Sequence, residues 1–236
     1  MDRVAFTIFG IDVMWYGILM AIGMILGTLI ALKEAKRVGI KEDNILDLAI
    51  IAIPVGLICA RLYYVIFNWE YYASNPSQVF NFRGGVLAGY LFSRYKKINF
   101  FKLADTVIIG MPLAQAIGRW GNFINKEAHG GPTNLPWGIM VDGVKVHPTF
   151  LYESIWDFGI FVFLWMFRKK KSYEGQIIVL YAILYSLGRF FIEGLRTDSL
   201  MIGPLRMAQV ISLVGVIGGL IAHIYLSKKS KINRQN

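Results

Sequence analysis

Six long apolar runs, each followed or preceded by charge, most constrain what this chain can fold into. They are Val13–Leu32, Leu46–Phe67, Leu103–Gly118, Phe150–Phe167, Gly175–Ile192 and Met207–Leu226. Crossing the hydrocarbon of a bilayer takes about 20 helical residues, so these runs read as transmembrane helices. Composition agrees. Hydrophobic residues make up 56% of the 236, charged residues 17%, and mean hydropathy is +0.50. A soluble domain carries about 25% charged residues. There is too little charge here to cover a wetted surface and too much apolar material for one core. A disordered chain is excluded, and a soluble enzyme is not expected. The expected fold is all-α, a single polytopic membrane domain over 1–236.

The net charge of +10 would point a soluble protein towards nucleic acid. On a membrane protein its distribution matters more, and no nucleic-acid partner is expected. Four clusters hold most of the basic residues: Lys33, Lys36, Arg37, Lys41; Arg94, Lys96, Lys97, Lys102; Arg168, Lys169, Lys170, Lys171; and Lys228, Lys229, Lys231, Arg234. The positive-inside rule puts these in the cytoplasm and the N-terminus outside. Residues 68–82 and 119–149 are then extracytoplasmic, and 227–236 is a cytoplasmic tail. The first apolar run is of full span length, with no small-residue cleavage site after it, so no cleavable leader is expected. Cys59 is the only cysteine and reads as a buried thiol.

This topology needs two crossings between Lys41 and Arg94, and only Leu46–Phe67 is full length. The other must come from residues 68–93, whose best apolar stretch is Val86–Phe92. Even with Gly84 and Gly85 that helix reaches only about 14 Å, against about 30 Å of hydrocarbon. The expected bundle therefore has about seven transmembrane helices with the third shortened.

Ionisable groups in such spans are costly, which makes them functional candidates. Gly118-Arg-Trp-Gly-Asn-Phe-Ile-Asn-Lys-Glu127 is the densest polar segment. Arg119, Asn122 and Lys126 fall at i, i+3 and i+7. Arg119 suits a phosphate, which a guanidinium grips through parallel hydrogen bonds. Asn122 and Asn125 suit a neutral polar group. Glu127 suits a base or an orienting partner for Arg119, and Gly130-Gly131-Pro132 suits a helix stop. The second cluster places Arg189, Glu193 and Arg196 on one helical face, where Arg189 and Glu193 can neutralise each other. In the third, Glu153 and Asp157 share a face at i, i+4 and need cationic partners. Arg61 and Arg189 are the intramembrane candidates. Trp15-Tyr16-Gly17 opens the first span, as an interfacial belt or with Tyr16 lining a site. His129 and His147 show no metal-ligand spacing. Ion pairing that only holds the bundle together accounts for some of these groups. A transporter or channel is the rival functional class, but it favours inverted repeats, and none is visible.

The segment Gly118-Arg-Trp-Gly-Asn-Phe-Ile-Asn-Lys-Glu-Ala-His-Gly130 resembles the signature of the bacterial prolipoprotein diacylglyceryl transferases. Trp15-Tyr16-Gly17, Ala60-Arg61-Leu62-Tyr63-Tyr64, His147-Pro148-Thr149 with Tyr152-Glu153, and Gly188-Arg189-Phe190 through Glu193 to Arg196-Thr197-Asp198 match in the same order. The resemblance implies a plasma-membrane enzyme without metal or cofactor. It would transfer the diacylglyceryl group of phosphatidylglycerol to the lipobox cysteine of a prolipoprotein, forming a thioether and releasing glycerol 1-phosphate. Its partners would be phosphatidylglycerol, prolipoprotein signal peptides and the bilayer. The resemblance further implies that Arg119 binds the headgroup, with Asn122, Glu127 and Gly130 shaping that site. Arg196 would be a second essential cation, and Tyr16 would line the pocket. Catalysis is thus expected from Glu127, Arg196 and Tyr16, and substrate binding from Arg119, Asn122, Asn125, Gly130, Arg61, Glu153, Arg189 and Glu193. One departure stands out. Where the family carries two Gly-Gly pairs around a His or Tyr, this chain has only Gly84-Gly85. Roughly ten residues are absent, about what a helix needs to complete the span. Impaired transfer is the expectation.

Overall fold

The computed structural model describes residues 2–67, 85–197, 199, 201–202 and 205–235. The described residues are helical with three short two-stranded antiparallel sheets. In order these are β1 (Val4–Ile8), β2 (Ile11–Met14), α1 (Trp15–Val38), α2 (Glu42–Phe67), α3 (Gly85–Tyr95), α4 (Phe100–Ile108), α5 (Met111–Asn125), β3 (Ile139–Val141), β4 (Val144–Val146), α6 (Thr149–Phe167), α7 (Gln176–Glu193), β5 (Met201–Ile202), β6 (Leu205–Arg206) and α8 (Met207–Gln235). Among the described residues, α1, α6, α7 and α8 are long and apolar enough to cross a membrane. A fifth crossing is available if α4 and α5, interrupted at Ile109–Gly110, are taken together. This is a polytopic helical membrane protein. Its outward-facing apolar residues confirm the reading, because lipid requires them. Ile25, Leu29, Val214 and Ile221 are all more than half exposed.

Two compact units divide the chain. One comprises Met1–Ile30 with Ile108–Asn236, and the other Ala31–Val107. The second is built around Ala31, Ala35, Ile40, Ile45, Leu48, Phe92 and Leu103. Its polar rim carries the pairs Lys36–Glu42, at 3.1 Å, and Lys96–Asp47, at 2.7 Å. The hydrogen bond that Lys96 donates to Asp47 holds its ammonium above the usual lysine range. α3 covers the apolar stretch that the sequence offered as a shortened third span. Its 11 residues reach about 16 Å. The loop proposed before it, 68–82, lies outside the described residues.

The first unit holds the candidate site. In lipid, helices associate through small residues that let backbones approach, and α1 meets α5 in this way. Gly23 faces Ala114, and Gly27 faces Gly110 so closely that a Cβ on Gly110 would collide with the Gly27 carbonyl. Gly188 of α7 abuts the Trp156 indole of α6, whose Nε1 donates to the Leu184 carbonyl at 2.9 Å. A core of Ile109, Ile160, Leu164 and Ile177 joins these helices. α8 packs on α7, where Gly215 meets Ser186 and Gly219 meets Ile183. At the opposite end Tyr173 and His223 share a hydrogen bond of 2.8 Å.

Two sequence expectations are corrected. The run Leu103–Gly118 is not one helix. Gly110 interrupts it, and Pro112 opens the next helix at its first turn, where the missing N–H costs nothing. Likewise Gly130-Gly131-Pro132 does not end that helix. Lys126 does so in the left-handed conformation, at φ 56° and ψ 38°, its N–H returning to the Asn122 and Phe123 carbonyls. The helical face therefore closes before Lys126, and Arg119 and Asn122 share it without the lysine.

Candidate functional site

The site lies where α5 ends and α6 begins. α5 presents Arg119 and Asn122 one turn apart and stops at Asn125. The turn that follows brings Glu127 back beneath the helix, its N–H bonded to the Asn122 carbonyl at 3.0 Å. Asn122 Nδ2 donates to Glu127 Oε1 at 3.0 Å, and Asn125 Nδ2 to the same oxygen at 3.3 Å. Glu127 is thus held by both asparagines. Arg119 is not its partner.

Arg119 turns instead to α6. Its Nε stands 2.8 Å from Glu153 Oε2 and 4.0 Å from Asp157 Oδ2. Glu153 also accepts from Arg189 Nη1 of α7. Arg189 Nη2 reaches Glu193 Oε2 at 2.7 Å, and Arg196 Nε lies 4.0 Å from that oxygen. Arg206 donates to the Glu193 backbone carbonyl. Three arginines and three carboxylates therefore form one chain across α5, α6, α7 and the turn after it; α7 ends at Glu193, so Arg196 does not share the helical face that its spacing predicted. Glu153, Asp157 and Glu193 are at most 5% exposed. Buried charge is tolerable only when paired, and the network supplies the pairing. Among the described residues Asp157 Oδ2 and Glu193 Oε2 are held by ionic contacts and make no hydrogen bond of good geometry.

Gly130 is the joint that ties these elements together. Its N–H donates to the His147 carbonyl at 2.9 Å, and the Gly131 N–H to the Leu195 carbonyl at 3.0 Å. Gly130 also bridges to Arg196 as an isolated β-pair. A Cβ here would lie 2.6 Å from His147 Cβ and 2.9 Å from the Leu195 carbonyl oxygen. Only glycine fits, because the His147 Cβ and the Leu195 backbone carbonyl close on it from two sides. Thr149 locks the same loop by donating to the Ala128 carbonyl. Tyr16, at the mouth of α1, lays its ring over Gly121, where a Cβ would overlap it.

A cavity of about 150 Å³ opens beside Glu127. Asn122, Lys126, Glu127 and His129 line its polar side, and Phe123, Phe150 and the strand Ile139–Val141 its apolar side. Phe123 and Phe150 stack at 4.7 Å. The arrangement offers a fixed carboxylate and two amides at an apolar wall, next to a half-buried set of arginines.

Of the residues the sequence singled out, Arg119, Glu153, Arg189, Glu193 and Arg196 meet in the ionic chain. Asn122, Asn125 and Glu127 meet at the cavity, and Gly130 and Tyr16 frame the two. The side chain of Arg61 lies outside the described residues, and so does Asp198. Sequence reasoning named Arg61 and Arg189 as partners for the α6 acids, whereas the described partners are Arg119 and Arg189. It overlooked Ser154, which accepts from Trp120 Nε1 at 3.2 Å and donates to the Ala116 carbonyl at 2.9 Å. It also overlooked the β3–β4 hairpin that walls the cavity. Asp142-Gly143, with φ of 48° and 84°, was the readable signal, since this dipeptide favours two-residue hairpin turns.

Apolar spanning helices with a buried arginine–carboxylate chain define a polytopic membrane protein with a polar site built into its helix ends. By comparison with known proteins, the chain belongs to the prolipoprotein diacylglyceryl transferase family, whose model matches residues 3–225. It is similar to the phosphatidylglycerol–prolipoprotein diacylglyceryl transferase of Clostridioides difficile (strain 630), with 78% identity covering 99% of this chain and 98% of the relative. The enzymes of the same name from Finegoldia magna and Bacillus cereus (strain Q1) are 52% and 45% identical. The former match covers 97% of both chains, the latter 100% of this chain and 96% of the relative. The Clostridioides alignment runs over 244 positions, more than the 236 residues here. That relative therefore carries residues this chain lacks.

Proposed function

We propose that the protein transfers the diacylglyceryl group of phosphatidylglycerol to the lipobox cysteine of a prolipoprotein. The observation that carries this reading is 78% identity over nearly the full length to a relative of that name. In the reaction the thiol sulfur attacks the glyceryl carbon that bears the phosphate oxygen. The carbon–oxygen bond breaks with its electron pair staying on phosphate, and glycerol 1-phosphate leaves.

The arginines are suited to the charge that grows on that phosphate. Fixed donors in a water-poor setting stabilise developing charge more than water does. Arg119 binds the phosphate in this reading, and Arg196, held against the Gly130 joint, is the second cation. Glu153, Glu193 and Arg189 hold the two in place. Asn122 and Asn125 fix the Glu127 carboxylate at the cavity, where it accepts the thiol proton. A thiol of pKa about 8.5 needs such a base or a positive field. Tyr16 closes the site towards the lipid, and Gly130 keeps its walls in register. The family resemblance adds Arg61 to the residues that bind substrate. No metal or cofactor enters this chemistry. The acyl chains remain in the bilayer, and the prolipoprotein signal peptide enters between helices.

Charge placement supports an N-terminus outside and a C-terminus in the cytoplasm, with 119–149 on the outer side and 227–236 on the inner. Reporter fusions at either end test this, and a periplasmic-type signal from the C-terminus would refute it. The reaction is tested by incubating the purified protein with phosphatidylglycerol vesicles and a lipobox peptide. A thioether-linked diacylglyceryl peptide is expected, and its absence from a peptide that binds, with this chain and also with a version in which the segment after Gly85 is restored, would refute the assignment.

A further inference from the structure

The hairpin β3–β4 has one covered edge and one open edge. Register pairs Ile139 with Val146, Met140 with Lys145 and Val141 with Val144. In a two-residue hairpin the closing pair exchanges both of its hydrogen bonds, and the next pair does not. Ile139 and Val141 therefore bond inwards to β4, while Lys145 and Met140 turn their N–H and C=O groups to opposite outer edges. On the β4 side the Lys145 carbonyl is taken by the Thr133 N–H at 2.9 Å. There His147 and Gly131 add a further bond of 3.0 Å and Pro132 bridges Val146. On the β3 side, among the described residues, no strand pairs with Met140, which is 65% exposed.

An open strand edge is a template for another strand. This one borders the cavity, because Ile139, Met140 and Val141 line it together with Asn122 and Glu127. Residues along an extended segment project alternately to the two faces of a sheet. A segment added at Met140 would thus send one side chain towards the cavity and its neighbours away from it. Exposed Met140, with the aliphatic stem of its cross-strand partner Lys145 beside it, gives the outer face an apolar surface for those neighbours.

We infer that the acceptor peptide binds as a third strand on the Met140 edge of β3, delivering its cysteine into the Asn122–Glu127 cavity. This rests on the transferase reading above and adds to it the mode of peptide recognition. Main-chain bonds supply affinity in such strand addition, and side-chain pockets supply selectivity. The sequence around the cysteine can then vary while the extended conformation cannot.

The test uses the full-length protein in phosphatidylglycerol nanodiscs and a lipobox peptide with serine in place of cysteine, so that binding is measured without turnover. Met140→Pro removes the outward N–H and spares the ladder bonds made by Ile139 and Val141. Proline is tolerated on a strand edge whose N–H faces outwards. Losing that donor should weaken peptide binding about tenfold. A set of peptides, each N-methylated at one amide, provides the second measurement. One position, whose N–H donates to the residue-140 carbonyl, should cost wild-type protein about tenfold, and the same position should be the sensitive one in Met140→Pro, because proline keeps that carbonyl. Equal affinity of both proteins, or no sensitive amide in wild type, overturns the inference. So does a concentration-dependent dimer that Met140→Pro dissolves, because the edge would then pair with a second copy. Failure of the transferase reading is read separately. It appears as absence of a thioether product from the cysteine peptide, with this chain and with the segment after Gly85 restored, while the serine peptide still binds.

Discussion

Replacing Glu153 by glutamine removes one negative charge from the centre of the ionic chain and changes almost nothing else. Glu153 is 5% exposed and serves two guanidiniums at once, Arg119 at 2.8 Å and Arg189 through a hydrogen bond. Glutamine keeps the length and one acceptor oxygen. It leaves Arg119 facing Asp157 at 4.0 Å and leaves Arg189 with Glu193 at 2.7 Å. Breaking a buried pair by removing one partner costs about 3–5 kcal/mol, and the two remaining acids put this case at the lower end, about 3 kcal/mol. For a chain of this size that lowers the melting temperature by about 6–12 °C. Tryptophan fluorescence during thermal unfolding in detergent reads it directly. The double variant with Arg119→Gln sharpens the test. If Arg119 and Glu153 act as a pair, the second substitution should restore at least about 1 kcal/mol of what the singles lose separately. A Glu153→Gln protein that melts with the wild type would refute the reasoning. Strict additivity of the two substitutions would refute it too.

Other outcomes follow from the same geometry. Arg119→Ala should abolish thioether formation while the protein stays membrane-inserted, and retained activity would move the headgroup site elsewhere. Gly130→Ala places a methyl against His147 and the Leu195 carbonyl. Overpacking of that kind costs about 1–3 kcal/mol, and transfer should fall at least tenfold because the joint also carries Arg196. Unchanged rates would remove Gly130 from the site. Gly110→Ala, which drives a Cβ into the Gly27 carbonyl, should destabilise by a similar amount in a melt, whereas a neutral result would deny the α1–α5 contact. Inserting about ten residues after Gly85, enough to complete a span, should raise the transfer rate. Equal rates would show that the missing segment is dispensable.

The spans were legible because apolar length is a property of the sequence alone. The runs starting at Val13, Phe150, Gly175 and Met207 became α1, α6, α7 and α8 within a few residues of their starts. The break at Ile109–Gly110 was overlooked because the apolar run continues through it, although Pro112 marked a helix start. Within one helix, spacing was enough. The Arg189–Glu193 pair at i, i+4 and the shared face of Glu153 and Asp157 both stand in the structure. Partners on different helices were not readable. Nothing in the sequence says that Arg119 will face Glu153 across α5 and α6 rather than the nearby Glu127. That choice is made by packing, where Ser154 bonds to the Ala116 carbonyl and the Trp120 indole. Glu127 in turn is claimed by two asparagines that the left-handed Lys126 brings within reach.

The most direct test of the account is the reaction itself, run with purified protein, phosphatidylglycerol and a lipobox peptide. The peptide is followed by mass spectrometry and the released headgroup by phosphate assay after phosphatase treatment. The account predicts a peptide heavier by one diacylglyceryl group, linked through sulfur, and glycerol 1-phosphate in equal amount. Headgroup release without a thioether would contradict it. So would the absence of both products from this chain and from the version with the segment after Gly85 restored.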